Sequence, residues 1–397
     1  MVEQSELNTS WSMVTSAEEL DRAAQSLAGG HGPIGVDAER ASGYTYRSNA
    51  YLVQASRRGS GTFLFDPTEI TDFSALSDAI GDEEWIFHAA SQDLACLAEI
   101  GLLPSRIFDT ELATRLLGFD RVGLGAVVER LLGISLKKAH SAADWSTRPL
   151  PESWLEYAAL DVALLPDLRD AVAAELAEQE KEAIAFEEFE AVRTKAPKAP
   201  ATEPWRKLAG GGRLSGQRSL AIARELWTAR DSLARERDVA PGRLFPDASL
   251  IAAVKANPRS QGELAAMKAF HGRASRTELP RWWAAVLLGK TTDDLPNLRV
   301  PGEKPMPHHR GWAERHPEAA ARLAAARAAV EAEAEARQVP IENLLTPDLL
   351  RRLAWQPPAE ITADSVNSAL ADLGGLPPVL LDPASVDETS LRLFGVG

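Results

Sequence analysis

Gly35-Val36-Asp37-Ala38-Glu39-Arg40, inside the run Gly32-Pro33-Ile34-Gly35-Val36-Asp37-Ala38-Glu39-Arg40, is the stretch on which the reading of this chain turns. Pro33, Ile34 and Val36 mark the start of a short buried strand, on which side chains at i and i+2 share a face. Asp37 and Glu39 therefore project together and repel unless a positive charge lies between them. Hard divalent cations such as Mg²⁺ and Mn²⁺ take carboxylate oxygen. The plain reading, with Asp37 as a turn residue and Glu39 solvated, stays open until the rest of the chain is read.

The 397 residues suffice for two or three domains, and 45% hydrophobic with 25% charged residues is globular composition. A single cysteine, Cys96, leaves no intrachain disulfide framework or cysteine-rich zinc site. With a polar, acidic Met1–Ser10 and no apolar stretch of about 18 residues, the expectation is a soluble cytoplasmic protein. The net charge of −14 is unevenly spread: −19 over residues 1–192, +11 over 193–315 and −6 over 316–397. A very acidic unit is joined to a basic one, which suits a cation-loaded catalytic domain whose polyanionic substrate is gripped by its neighbour.

Ser16-x-x-Glu19 before Leu20, Ala23, Ala24 and Leu27 is a capping box opening a helix. Ile34–Asp37, Tyr51–Ala55 and Thr62–Phe65 are β-prone runs at hairpin spacing, predicting an antiparallel meander. Helix, buried strand and helix follow at Asp72–Ile80, Trp85–His88 and Ser91–Ile100, giving an α/β fold with a mixed sheet. Ser91 reads as an N-cap, placing Asp93 in a first turn beyond a strand end, where sites of such sheets form. Acids there also simply answer the helix dipole. Asp144-Trp145-Ser146-Thr147-Arg148 is a polar loop whose Trp145 and Arg148 suit base stacking and phosphate, although Trp145 also suits plugging the domain's edge. Pro151–Leu168 reads as one helix, with Tyr157 and Asp161 one turn apart on a face and Asp161 among apolar neighbours that demand a partner for it.

The Pro-rich, basic run 193–207 marks a linker. Beyond it, Ser219–Val239, Asp247–Ala256, Ser260–Met267 and Arg276–Leu288 read as helices. The pattern of long helix, proline loop and short helix at 223–251 is echoed at 321–350. The expected domains are 1–192, a linker 193–209, a helical unit 210–290, a linker 291–313 and a second helical unit 314–397.

Asp37, Glu39, Asp93 and Asp161 together make a ligand set for two divalent ions about 4 Å apart, and Tyr157 would orient or deprotonate the attacking water. These residues resemble the DEDD exonucleases of the ribonuclease H-like fold, in the tyrosine branch, most closely the ribonuclease D group. Asp37-x-Glu39 looks like the first motif, His88 to Asp93 the second and Tyr157-x-x-x-Asp161 the third. Phe108-Asp109-Thr110 and Asp144-Trp145-x-x-Arg148 match further segments. Residues 214–288 resemble the HRDC domain and 316–397 a diverged second copy, which has alanines where the first has Trp227 and Arg230.

The resemblance implies a 3′–5′ exoribonuclease that trims RNA 3′ ends, such as those of tRNA precursors, to nucleoside 5′-monophosphates with Mg²⁺ or Mn²⁺. Trp145, Arg148, Trp227 and Arg230 are the expected nucleic-acid contacts. Arg40 departs from the family, which usually has an aromatic or aliphatic residue there; contact with RNA and plain solvation are both open for it. Two alternatives stand beside this: a DNA exonuclease with the same ligands, and a catalytically dead nucleic-acid adaptor, which predicts loss of a carboxylate or of Tyr157.

Overall fold

The computed structural model describes residues 2–3, 10–136, 143–196, 201–208, 210–211, 214–270, 272–298, 306–359, 365 and 368–369. Parts of both expected linkers (197–200, 209 and 299–305) and the expected end of the last helical unit (370–397) lie outside the described residues.

The first unit runs β1 (Val2–Glu3), β2 (Trp11–Val14), α1 (Ala17–Gly29), β3 (His31–Arg40), β4 (Ala50–Arg58), β5 (Gly61–Phe65), α2 (Ser74–Ile80), β6 (Glu84–Phe87), α3 (Leu94–Glu99), β7 (Arg106–Asp109), α4 (Thr110–Leu116), α5 (Leu124–Leu132), β8 (Ile134–Ser135), α6 (Glu152–Ala163), α7 (Leu165–Glu178) and α8 (Glu182–Arg193). Six strands form one mixed sheet in the order β2-β5-β4-β3-β6-β7, and β1 pairs separately with β8. The meander β3-β4-β5 is antiparallel, as the turn spacing predicts, whereas β2 lies parallel to β5 and β6 parallel to both β3 and β7. Helices cover the sheet, so its strands are apolar on the packed faces.

Strand β3 shows how sequence alternation becomes position. Ile34, Val36 and Ala38 are buried on one face, which puts Gly35, Asp37 and Glu39 on the other, toward α6 and α7. Gly35 is what lets those helices come close: a Cβ there would lie 2.6 Å from the Val162 carbonyl oxygen and 3.0 Å from the Leu165 Cβ. The expected single helix over 151–168 is in fact two, α6 and α7, broken around Leu164. Pro166 has no N–H to donate to the Val162 carbonyl, so the helix cannot run through. The break brings this carbonyl against Gly35 and sets Asp161 beside the acidic pair.

The helical remainder comprises α9 (Gln217–Arg237), α10 (Pro241–Leu244), α11 (Asp247–Ala256), α12 (Gln261–Ala265), α13 (Arg273–Thr277) and α14 (Leu279–Thr291), then α15 (Trp312–Arg315), α16 (Pro317–Arg337), α17 (Ile341–Leu344) and α18 (Pro347–Trp355). The internal repeat is visible as α9-α10-α11 and α16-α17-α18. Both long helices have 21 residues and end on a left-handed residue, Asp238 and Gln338.

Both helical units dock on the sheet domain, by different means. The first has its own core around Leu226, Phe245 and Trp282 and grips the loop 41–49 that follows β3. The Tyr46 hydroxyl bonds Asp231 Oδ1 at 3.0 Å, Arg243 Nε donates to the Gly43 carbonyl at 2.8 Å, and the Ala240 N–H donates to the Tyr44 carbonyl at 2.9 Å. The second shares its core with the sheet domain: Trp312, Val330 and Leu353 belong to the same apolar cluster as Leu116 and Val128. Lys181 Nζ ties the two by donating to the carbonyls of Leu116 and Gln338, each at 2.8 Å.

Candidate metal centre and active site

Asp37, Glu39 and Asp161 each present a carboxylate oxygen, and these oxygens all lie within 4.8 Å of one another. They come from two adjacent same-face positions of β3 and from α6, brought together by the close approach at Gly35. One Asp37 oxygen accepts the Ala38 N–H at 2.9 Å. Asp93 completes the cluster with its carboxyl hydrogen-bonded to that of Asp37. The four acids, Tyr157 and His88 line one cleft of about 390 Å³, together with Arg40, Ser42 and Gln92.

Asp93 reaches this position by a different route from the expected one. Ala90–Gln92 form a single 3₁₀ turn, and Asp93, not Ser91, precedes α3, with its side chain making no capping bond. The carboxylate is therefore aimed at Asp37. The turn depends on Asp109, whose site role was not foreseen. Its two oxygens accept the N–H groups of Ala89 and Ala90 at 3.0 and 2.9 Å and those of Glu111 and Leu112 at 3.0 and 3.1 Å. One buried carboxylate thus caps α4 and pins the left-handed Ala89 (φ 76°) that turns the chain toward Asp93. An acid immediately before a helix start is a capping signal in sequence, but the partner 20 residues upstream is not.

Electrostatically the cluster calls for a cation. None of the four acids makes an ion pair among the described residues. Burial, then the charge of its acidic neighbours, pushes the Glu39 carboxyl up to about 10. The same two causes push Asp93 up to about 9 and Asp161 up to about 8, and burial raises Asp37 as well. Oxygen-only donors at mutual distances under 5 Å, each costly to ionise alone, are the ligand set of a hard divalent cation. Burial and the Asp161 charge raise the Tyr157 phenol, which is hydrogen-bonded to Asp161 and keeps its proton. His88 is held differently: Thr110 Oγ1 donates to the Phe87 carbonyl at 3.0 Å, so its contact with His88 Nδ1 at 2.9 Å makes the ring the donor. Burial pushes that imidazole down to about 4, and His88 ties a strand end to α4 as a neutral ring.

Three of the four residues expected to contact nucleic acid are engaged inside the protein. Trp145 is fully buried against Trp154 in a small core with Leu52, Leu64 and Ala158, so its indole cannot stack on a base. Arg148 commits all five N–H donors: to Asp66 through Nε (2.8 Å) and Nη2 (2.7 Å), to Tyr51 O (2.8 Å), and to Trp145 O and Thr147 O (both 2.9 Å). Arg230 is buried, with Nη1 on Phe245 O at 2.8 Å and on Asp247 Oδ1 at 2.6 Å. Trp227 is half-buried and packs on the core of the first helical unit.

Comparison with known proteins agrees with this architecture. A family described as 3′–5′ exonuclease matches residues 11–177, the HRDC domain matches 219–286, and a family described as 3′ to 5′ exonuclease C-terminal domain matches 305–376. The ribonuclease D of Pseudomonas paraeruginosa is 30% identical over 249 residues, which cover 62% of this chain and 66% of that relative, just under two thirds of its length. A solved structure of a protein from Bifidobacterium adolescentis is 34% identical, with a TM-score of 0.84 over 96% of both chains. The Escherichia coli RNase D structure, at 24% identity and a TM-score of 0.69 over 92% of this chain and 99% of that one, shares the fold.

Proposed function

This chain is a ribonuclease D-like protein with a 3′–5′ exonuclease domain followed by an HRDC domain, and from that premise we propose that it removes nucleotides one at a time from RNA 3′ ends as 5′-monophosphates. The observation that carries the reading is the convergence of Asp37, Glu39 and Asp161 within 4.8 Å, with Asp93 bonded to Asp37, in a cleft that also holds Tyr157. Asp37, Glu39, Asp93 and Asp161 are the residues that would hold two Mg²⁺ or Mn²⁺ ions. When bound, the ions supply an activated water and neutralise charge on the leaving oxygen of a phosphodiester.

The chain's own residues supply the rest. Tyr157, fixed by Asp161, orients the attacking water through its hydroxyl. Asp109 and Gly35 set the positions of Asp93 and Asp161, which a displacement of about 1 Å would spoil. The half-buried cleft sits in an acidic domain of net charge −19, so the polyanionic substrate is gripped chiefly by the basic segment 193–315, of net charge +11, which contains the HRDC domain. Precursor tRNA 3′ ends are the substrate class that the ribonuclease D kinship favours, and the single cysteine favours a reducing compartment such as the cytoplasm. Among the described residues no helix is long and apolar enough to cross a membrane.

Single-stranded RNA and matched DNA, incubated with Mg²⁺, Mn²⁺ or EDTA, test the reading. Metal-dependent mononucleotide release from the 3′ end, faster on RNA, is the expected result. Faster release from DNA would move the substrate assignment, and RNA binding without hydrolysis in any metal would replace the enzyme with an adaptor.

A further inference from the structure

Arg40 ends β3, one residue past Glu39, and strict alternation would turn it to the face opposite the acidic pair. The ladder is irregular at this point: Glu39 faces Leu52 while Arg40 faces Ala50, so Tyr51 has no partner of its own. Such a bulge re-aims the neighbouring side chain, and Arg40 lines the cleft. Its charge reaches Asp37, Glu39 and Asp93. Nevertheless it forms no hydrogen bond or ion pair with any described residue, whereas every donor of Arg148 in the same domain is engaged. Arg40 is also the only lysine or arginine among the described residues that line the cleft. The end of β3 is held from beyond as well, since the loop that follows it is docked on α9 and α10 through Tyr46 and Arg243.

We propose that Arg40 binds a backbone phosphate of the nucleic acid strand lying in the cleft, adjacent to the bond that is cut. A guanidinium fork matches two phosphate oxygens at once, and one held off the carboxylates keeps its donors for the incoming anion. The inference rests on the proposed reading of the cleft as a phosphodiesterase site. It assigns Arg40 to substrate grip, not to the electrostatics of the carboxylate cluster.

The test is equilibrium binding of a short 5′-fluorescein-labelled oligoadenylate to the full chain without divalent metal. Anisotropy is followed across a salt series for the wild type, R40Q and R40K, and thermal melts with and without Mn²⁺ are run in parallel. R40Q is expected to bind more weakly, with a plot of log affinity against log salt flatter by about 0.7, the loss of one phosphate contact on a single strand. R40K is expected to keep the slope, and Mn²⁺ to stabilise all three proteins. An unchanged slope in R40Q overturns the assignment. So does loss of the Mn²⁺ stabilisation in R40Q with the slope intact, which would make Arg40 a part of the cation site. A wild type that binds no oligonucleotide would overturn the phosphodiesterase reading first, and this inference with it.

Discussion

The cleft and the loop 144–150 hold the same kinds of residue, and the structure uses them in opposite ways. In the loop, Arg148 meets Asp66, an acid only 4% exposed, and Trp145 closes over the core beneath it. Although burial works against it, hydrogen bonds from Arg148 and Thr68 hold the Asp66 carboxyl below the usual carboxylate range. In the cleft, four acids gather without a cation partner among the described residues, and the one arginine among the described lining residues pairs with none of them. A charged group whose partners are all internal stabilises the fold; one held within reach of opposite charge and left unpaired is kept for something that arrives. Residue type does not separate the two cases, but the inventory of hydrogen bonds does.

The comparison breaks most visibly on the acids. Asp37→Ala and Asp161→Ala are each expected to reduce hydrolysis to the level seen in EDTA while the melting temperature without metal holds or rises, because one source of repulsion is removed. Residual metal-dependent release of mononucleotides in either variant would contradict the site. Arg148→Ala, in contrast, should cost about 3–5 kcal/mol of stability in urea unfolding, since it strands a buried carboxylate, and should leave the salt dependence of RNA binding alone. Trp145→Ala should fall in a similar range, about 3–5 kcal/mol, from the cavity it opens.

Gly35→Ala sharpens the contrast from the side of packing. Its Cβ must displace the Val162 carbonyl or the Leu165 side chain, with a stability cost of about 1–3 kcal/mol. The shift moves Asp161 away from Asp37, so activity should fall further than stability does, and a Mn²⁺ titration of turnover should reach half-saturation at a higher concentration.

A pH dependence probes the same acids from the side of their charge. Burial and the charge of their acidic neighbours push Glu39, Asp93 and Asp161 up to about 10, 9 and 8 in the folded state, well above the unfolded chain. Across the window from about pH 4 to these values the folded state binds more protons than the unfolded one, so stability is highest at the acid end of the window and is lost as pH rises through it. Thermal melts in EDTA should show this contribution falling between about pH 5 and 9, and Mg²⁺ should restore it at the alkaline end by taking the place of the protons.

How much of this was legible in the sequence follows from the range of each interaction. Asp37 with Glu39, and Tyr157 with Asp161, are set by strand and helix periodicity within a few residues, so their shared faces could be read directly. The antiparallel meander could be read too, from turns that span only a few positions. The Ser16 cap was also local, and its side chain accepts the Glu19 N–H as the box requires. In contrast, Arg148 finds Asp66 82 residues away and Arg230 finds Asp247 17 away, distances over which no local pattern reports whether a donor is taken. Gly35 looked like part of a strand start, and only the α6–α7 break shows that it is there for close approach. The last helical unit read as a second helical domain behind a linker because its repeat shows in the sequence, with its placement left open; its sharing of a core with the sheet domain depends on contacts such as Lys181 with Gln338, across 157 residues.

The most direct measurement is a time course of 3′-labelled and 5′-labelled single-stranded RNA with the full chain in Mg²⁺, beside Asp37→Ala and an EDTA control. Immediate appearance of labelled 5′-mononucleotide from the 3′-labelled strand, with a ladder of stepwise shortening from the 5′-labelled one, is the predicted result, and neither should occur in the controls. Internal cleavage, metal-independent release or activity in Asp37→Ala would contradict it.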